Sequence, residues 1–328
     1  MKETNLPPGL RVKNPQETDF RQEVSRGSDE VEKFPFRLQR YSRAKERSTE
    51  MVEHLLSIGE HKLAGSIGRC GNWLLFHHYF TVGKIRLAKA YFCKSHLLDP
   101  FCAIRRGAKQ LKAYLDKYWA VRLENNGLRS YFVTLTVKNG DDLEERFNHL
   151  QKAIKTLHQR NRDLKRGKNI KSEWCKILGL VGTYEVTNIG NGWHPHSHAI
   201  VLLRDEIDIE ALRSEWKDIT GDSDQIDIRP FHNSEDPQQD FVEVFKYSVK
   251  FSSMSVKNNY LAYQVLKNRR LVYSSGLFFG VRVPSVLEDE PLGDDLPYFE
   301  LFYKWLPKEG YFLDPSRSHK KGLLKAYI

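Results

Sequence analysis

Three histidines alternate along the stretch HPHSHAIVLL, residues 194–203, which runs from polar into strongly apolar sequence. Alternate side chains of a β-strand share a face, so we expect His194, His196 and His198 to point the same way and Ser197 to point to the other side. Neutral imidazoles bind divalent cations through a ring nitrogen. Three ordinary polar histidines at a sheet edge are the alternative, but their regular spacing favours a metal site, with His196 and His198 as the ligands deeper in the strand.

A third ligand is expected from the neighbouring strand. Glu185 lies in the segment GTYEVT, residues 182–187, which precedes the histidines across a Gly- and Asn-rich turn. Such a turn between two apolar segments predicts a hairpin, which would bring Glu185 beside His196 and His198. Two histidines and one carboxylate suit Mn²⁺ or Mg²⁺ and leave coordination positions for a substrate oxygen.

A helical segment downstream carries a second set of reactive side chains. In DFVEVFKYSVK, residues 240–250, the side chains of Glu243, Lys246, Tyr247 and Lys250 fall on one helix face. An amphipathic helix with ordinary ion pairs has the same pattern. Combined with a divalent cation that polarises a phosphate, however, Tyr247 could attack phosphorus, with Glu243 as a general base for a second cleavage by water.

Three of the four cysteines precede these segments. Cys70, Cys93, His96 and Cys102 are candidates for a structural Cys₃His zinc site. His77 and His78 are competing ligands, and three buried thiols without a metal are the alternative. Cys175 lies apart from the group and is interpreted as a plain thiol.

The elements that would position these residues alternate in type. Strand-like segments cover 131–137, 177–186, 196–203 and 226–228, and helical periodicity covers 143–157, 208–219 and 240–252. The order β-α-β-β-α-β-α predicts an α+β domain, an antiparallel sheet with helices on one face. A further helix is expected over 101–124, before the first strand.

We divide the chain into four parts where its composition and hydrophobic periodicity change. Residues 1–48 are expected to be a flexible polar segment, 49–127 a helical region with the zinc site, 128–255 the catalytic domain, and 256–328 a helical or mixed extension. The first residues lack the apolar core of a secretory signal and no segment is apolar enough to span a bilayer, so we expect a cytoplasmic protein without a membrane partner.

Charge points to a polyanionic partner. Lysine and arginine number 52 against 42 aspartate and glutamate, a formal net charge of +10. Nucleic acid is the partner that such a balance favours first. Two groups of cations are candidates for phosphate contacts: Arg105, Arg106, Lys109 and Lys112 on the expected helix, and the basic residues within 160–168.

In this order, the motifs resemble those of rolling-circle plasmid replication initiators (Rep), within the histidine-hydrophobe-histidine (HUH) endonuclease superfamily. FVTLTV, residues 132–137, is similar to the first strand motif, and WHPHSH, residues 193–198, to the metal motif, with Ser197 where a hydrophobic residue is usual. The segment 243–250 is similar to the single-tyrosine motif. Tyr247 matches the nucleophile, Lys250 the lysine after it, and Glu243 the carboxylate four residues before it.

The resemblance implies a metal-dependent nickase and strand transferase. Such a protein cuts one strand of a plasmid origin, single-stranded or in a hairpin, and keeps a 5′-phosphotyrosine. It recognises the duplex origin as well and works with a host helicase and DNA polymerase. A transposase or a mobilisation relaxase would share this chemistry. A non-catalytic DNA-binding regulator and a metal hydrolase of small phosphoesters are alternatives from other classes.

Overall fold

The computed structural model describes residues 30–233, 235–246, 253–293 and 296–321. Tyr247 and Lys250 lie outside the described residues. Seven α-helices are described: α1 Glu30–Ser57, α2 His61–Arg69, α3 Pro100–Glu124, α4 Leu143–Lys165, α5 Ile209–Thr220, α6 Gln238–Phe245 and α7 Val256–Leu266. The described strands are β1 Trp73–Tyr79, β2 Lys84–Ala90, β3 Arg129–Thr136, β4 Gly179–Thr187, β5 His194–Leu203, β6 Ile226–Pro230, β7 Val272–Gly276, β8 Tyr298–Leu306, β9 Gly310–Leu313 and β10 His319–Lys321.

The helix starts follow from local sequence. Asp99 caps α3 by accepting a hydrogen bond from the Phe101 backbone N–H, and Pro100 occupies the first turn, where its missing N–H costs nothing. Asp142 caps α4 and Asp208 caps α5 in the same way. The helix expected over 101–124 is therefore confirmed, one residue longer at its start.

A central antiparallel sheet has the strand order β6-β3-β5-β4-β7. Its elements follow the predicted order from β3 to α6, and the hairpin of β4 and β5 places Glu185 directly opposite His196. The α+β class and the antiparallel sheet are confirmed. The hairpin is the element that brings the three candidate metal ligands together.

Helices cover both faces of the central sheet. Helices α4, α5 and α7 form the predicted layer, whose core includes Phe147, Trp216 and Leu266. On the opposite face, α3 and α6 bury Tyr118 and Phe241 against β3, β4 and β5. This second layer explains why 199–203 is a continuous apolar segment, since every side chain of that stretch is buried.

A second antiparallel sheet, ordered β10-β8-β1-β2 with β9 also paired to β8, joins the N-terminal region to the C-terminal extension. Helix α1 packs on it through Phe34 and Tyr41, which contact the cluster of Leu74 and Phe76. The expected N-terminal helical region is present as α1, α2 and α3, but it also contains β1 and β2, which the sequence did not predict.

Helix α1 corrects the expectation of a flexible segment up to residue 48. Residues 30–48 are helical and well packed, and even Arg40 and Lys45 are buried. The helical pattern was hidden in the sequence because charged side chains occupy buried positions and because Pro35, which has no N–H to donate, stands inside the helix. No helix in the described ranges is long and apolar enough to cross a membrane.

Candidate active site

Glu185, His196 and His198 converge on one face of the central sheet, beneath the end of α6. The carboxylate Oε1 of Glu185 lies 3.4 Å from His196 Nε2, and its Oε2 lies 3.5 Å from His198 Nε2. One ligand atom from each residue lies within 4.8 Å of the others. The three residues that the sequence singled out are thus brought together with ligand atoms facing a common point.

Hydrogen bonds on the far sides of the rings orient both histidines. His196 Nδ1 faces the carbonyl oxygen of His194 at 3.3 Å, and His198 Nδ1 lies 3.1 Å from Thr134 Oγ1 on β3. A carbonyl can only accept, so Nδ1 of His196 carries the proton and its Nε2 keeps a lone pair in the neutral ring. Partners of this kind fix the tautomer of metal-binding histidines, so the donor set fits a divalent cation.

The protonation states suit ligation. Burial alone would raise the pKa of the Glu185 carboxyl, but the charges and hydrogen bonds of His196 and His198 outweigh it and hold that pKa well below its usual range. Burial lowers the pKa of His198. At neutral pH the site therefore presents an ionised carboxylate and a neutral His198 ring, the forms that bind metal.

His194 and Ser197 have other roles. The His194 ring lies outside this group, with Nδ1 2.6 Å from Asn139 Oδ1. Ser197 points to the opposite face, where its hydroxyl donates to the Thr183 carbonyl and lies 2.6 Å from Tyr273 Oη. A serine in place of the usual hydrophobic residue is therefore accommodated, because its buried hydroxyl is satisfied by hydrogen bonds.

Room for Tyr273 comes from a glycine. A Cβ on Gly182 would lie 2.5 Å from the Tyr273 ring, far closer than real contacts allow. The ring lies over Gly182 and reaches Ser197 across β4. Gly182, Ser197 and Tyr273 therefore form one interlocked contact behind the metal-binding face.

Helix α6 brings Glu243 and Lys246 to the site. Glu243 Oε1 accepts a 2.5 Å hydrogen bond from Lys246 Nζ, and the Glu243 charge interacts with both His198 and Glu185. Burial raises the pKa of Glu243, but attraction to Lys246 and His198 lowers it further than burial raises it. The helix is fixed to the sheet by Thr183 Oγ1, which donates to the Val244 carbonyl at 2.6 Å.

Asp99 joins the three cysteines of the cluster. Cys102 Sγ lies 3.5 Å from Cys70 Sγ and 3.6 Å from Cys93 Sγ, and Cys93 Sγ lies 3.0 Å from Asp99 Oδ2. All four ligand atoms lie within 4.8 Å of one another. Three thiols and a carboxylate in this arrangement are a donor set that suits zinc.

His96 lies outside this group of ligand atoms, so the Cys₃His set stays a prediction and Asp99 is the alternative fourth ligand. It lies on the exposed turn before α3, whereas Asp99 is fully buried at the helix start and accepts a 2.7 Å hydrogen bond from Ser48 Oγ. Burial raises the Asp99 pKa to about 7, so the carboxyl needs a cation to ionise fully at neutral pH. The buried Lys45 ammonium interacts with Asp99, Cys70 and Cys93 and would offset part of the negative charge of the ligands. The competing histidines lie elsewhere, and His77 stacks on Tyr298.

Only part of the expected basic face of α3 is exposed in the structure. Arg105 is buried, bonds to Asp289 and donates to the Leu287 carbonyl, so it holds the segment before β8 and is not available to DNA. Lys109 is also buried. Arg106 and Lys112 remain at the surface, and Lys112 pairs with Asp116.

Sequence reasoning missed Thr134, which contacts His198, and Asp99, which lies in the cysteine cluster. Two signals could have found them. Thr134 lies in the first strand motif at the position opposite His198, and Asp99-Pro100 is a helix-start signal between two cysteines.

Comparison with known proteins places this geometry in a family. The profile of a family described as "Replication protein" matches residues 84–299, which include the candidate metal ligands and α6. "Protein rep" of Streptococcus pneumoniae serotype 2 (strain D39 / NCTC 7466) is 27% identical over 247 residues, 69% of this chain and 72% of that protein. "Protein rep" of Lactiplantibacillus plantarum is 27% identical over 280 residues, 76% and 84% of the two chains. No solved structure is significantly similar to this chain. Because the family profile covers well over half of it, the chain belongs to the replication protein (Rep) family, in agreement with its resemblance to plasmid replication initiators.

Proposed function

We propose that this protein initiates rolling-circle replication of a plasmid by nicking one strand of the origin and joining itself to the cut end. The observation that carries the proposal is the convergence of Glu185, His196 and His198 near Glu243 of α6, four residues before Tyr247 in the sequence. Two histidines and one carboxylate that hold a cation near a general base suit transfer of a phosphodiester, with Tyr247 as the proposed nucleophile.

Glu185, His196 and His198 would hold Mn²⁺ or Mg²⁺. When bound, the cation would polarise and orient the scissile phosphate. Tyr247 loses its proton to solvent and the phenolate attacks phosphorus. The bond from phosphorus to the 3′-oxygen breaks, and this oxygen takes a proton from water to leave as a 3′-hydroxyl, while the 5′ end remains on the tyrosine. A phenol has a pKa of about 10, so nearby positive charge, for which Lys250 is the candidate, favours the phenolate.

Glu243 would act in the second cleavage. Its pKa is lowered, so it is ionised at neutral pH and can take a proton from water. The water attacks the second phosphodiester and ends the cycle by hydrolysis. Lys246, hydrogen-bonded to Glu243, balances the charge of two neighbouring carboxylates, Glu243 and Glu185.

The cysteine cluster would bind structural Zn²⁺ through Cys70, Cys93, Asp99 and Cys102. The family also implies partners: single-stranded or hairpin origin DNA, the duplex origin, and a host helicase and DNA polymerase in the cytoplasm. The 3′-hydroxyl left by the nick is the primer that a polymerase needs. A transposase or relaxase shares the nicking step, and the DNA that is cut, a plasmid origin or a transposon end, distinguishes them.

Incubation of end-labelled single-stranded plasmid DNA with Mn²⁺ and either the wild type or Tyr247→Phe tests the proposal. We expect a protein–DNA adduct that survives denaturation, requires the metal and is absent with Tyr247→Phe. Cleavage by both proteins without an adduct would show a water nucleophile and a hydrolase of another class. Binding without cleavage by either protein would show a regulator.

A further inference from the structure

A cleft of about 410 Å³ opens beside the metal-binding group. Its walls come from α3, the end of α6, the turn before β7, and residues 281–283. Pockets that bury small ligands have volumes of about 300–1,000 Å³. The cleft is therefore large enough for a single nucleotide unit but not for a folded protein segment.

The charged lining of the cleft is entirely cationic over the described residues. Arg106, Lys246, Arg269 and Arg270 line it, and no described lining residue is acidic. Arg269 is held by Glu144 and Asn148 on the other side of the sheet edge. The remaining cations make a local positive field that a phosphate would neutralise.

Arg106 and Arg270 are the cations best placed to bind a phosphate. Arg106 Nη1 donates to the Pro284 carbonyl at 3.1 Å, and Arg270 Nε donates to the Val272 carbonyl at 2.9 Å. Each bond is to neutral backbone, and neither guanidinium has an acidic partner in the described parts of the chain. Both keep further N–H donors, and a guanidinium binds phosphate with paired hydrogen bonds.

The remaining lining suits a base. Val272, Val281 and Val283 supply an apolar wall, and Tyr114, stacked on Phe245 with ring centroids 5.1 Å apart, closes the α3 side. The Gln110 side chain adds an amide with one acceptor and two donors, a group that can pair with the edge of a base. Apolar walls with one amide are typical of sites that select a ligand by shape and a few hydrogen bonds.

The cleft adjoins the reacting centre. Thr183 lines it and is the cross-strand partner of His198, two residues before Glu185 on the same strand face. Lys246 lines it too and bonds to Glu243. A nucleotide in the cleft could therefore be joined directly to a phosphate that lies at Glu185, His196 and His198.

We propose that the cleft binds one nucleotide of the cleaved single strand, directly beside the scissile phosphate, and selects its base. Arg106 and Arg270 bind its phosphate and Gln110 hydrogen-bonds to its base. This inference rests on the proposed nicking function and adds the place where cleavage specificity arises. Gln110 and Arg106 come from α3, whose first turn carries Cys102 of the cysteine cluster, whereas Arg270 lies just before β7 of the central sheet.

The packing of α3 fixes the width of the cleft. A Cβ on Gly107 would lie 2.6 Å from the Phe245 carbonyl oxygen, so the two helices touch backbone to backbone. Gly107 lies between Arg106 and Gln110 on the same helix. The positions of Arg106 and Gln110 relative to the candidate active site are therefore set by this contact.

The test uses a single-stranded library with randomised bases, cleaved by the full-length protein with Mn²⁺, and sequencing of the cut products. We compare the wild type with Gln110→Ala and Arg106→Ala, and with Lys112→Ala as the matched control, since Lys112 lies on the same helix but outside the cleft. Gln110→Ala is expected to relax the base preference at one position next to the nick and to leave other positions unchanged. Arg106→Ala is expected to weaken binding of a labelled single strand about tenfold, the effect of one charge-assisted hydrogen bond, while Lys112→Ala changes it less than about twofold.

Unchanged preference with Gln110→Ala together with unchanged affinity of Arg106→Ala overturns the proposal, whether or not the Tyr247 adduct forms. Adduct formation by the wild type is read in the same reactions, so loss of the nicking function is seen separately. Circular dichroism of each variant excludes misfolding as the cause of a loss.

Discussion

Glu185 and His196 are direct partners across the β4–β5 pair, and Glu185 Oε1 lies 3.4 Å from His196 Nε2. The same carboxylate reaches His198 Nε2 through its other oxygen. Ligand geometry is therefore set by strand register, because a slip of one residue would turn both histidines to the opposite face.

Replacement of a ligand should remove metal-dependent cleavage. Loss of an outer partner of a metal ligand costs about 10- to 100-fold, so we expect His198→Ala to lower Mn²⁺-dependent adduct formation by at least about 100-fold. His319→Ala is the matched control and should stay within a few-fold of the wild type, since His319 lies on β10 of the second sheet. Adduct yield against Mn²⁺ concentration measures both. Equal losses in the two variants would contradict the assignment.

Thr134 should matter through His198. Thr134→Val removes the hydroxyl 3.1 Å from His198 Nδ1 but keeps the shape of the side chain. We expect the Mn²⁺ concentration for half-maximal cleavage to rise about 10- to 100-fold, with nearly wild-type cleavage at saturating metal. Thr136→Val, two residues along β3, removes a hydroxyl that donates to the Gln225 carbonyl and should leave the metal dependence unchanged.

Glu243 should be required after the first cut rather than for it. Glu243→Gln preserves size and removes the base, so adduct formation should persist while cleavage of the second phosphodiester by water falls about 100- to 10,000-fold. Addition of a second, labelled origin strand to the preformed adduct measures the rate of this second cleavage. Loss of the first cleavage together with an unchanged second cleavage would assign Glu243 to activation of Tyr247 instead.

Asp99 should be a zinc ligand. Zinc analysis of purified protein should give one ion per chain for the wild type and for His96→Ala, and much less for Asp99→Ala. Asp99→Cys should retain the ion, since a thiolate is also a zinc ligand. Cys175→Ser, outside the cluster, is the control. Zinc in Asp99→Ala but not in His96→Ala would favour the Cys₃His set instead.

Stability should fall in mild acid because of His158. Burial, aided by the positive charge of Arg162, lowers the pKa of His158 to about 4, against 6.5 without these effects. Between about pH 6.5 and pH 4, His158 is protonated in the unfolded chain but not in the folded chain. The contribution of the neutral His158 to stability is therefore complete above pH 6.5 and is lost progressively as the pH falls to about 4. The shift corresponds to about 3 kcal/mol. Urea unfolding of the wild type and His158→Gln across this range should show a shallower pH slope for the variant. His61→Gln, at an exposed position, is the control and should keep the slope of the wild type.

Local sequence was sufficient where one pattern determined one element. The alternation of histidines defined β5, the Gly-rich turn defined its pairing with β4, and these two elements alone place the candidate metal ligands. The relation of α3 to the active site was not predictable, because it depends on the contact of Gly107 with the Phe245 carbonyl, between residues 138 positions apart in the sequence. Arg105 and Lys45 had the composition of surface residues, and only tertiary ion pairs and hydrogen bonds made their burial favourable.

Because Gly182, Ser197 and Tyr273 contact one another, substitutions at these three positions should depend on one another. A larger residue at 182 would expel the Tyr273 ring, and an apolar residue at 197 would leave the buried Tyr273 hydroxyl without its partner. Relatives with a hydrophobic residue between the two histidines are therefore expected to lack a tyrosine at the position of 273 and to be released from glycine at 182. Within this family, we expect the residues at 182, 197 and 273 to be replaced together, while His196 and His198 on the other face of the sheet are retained.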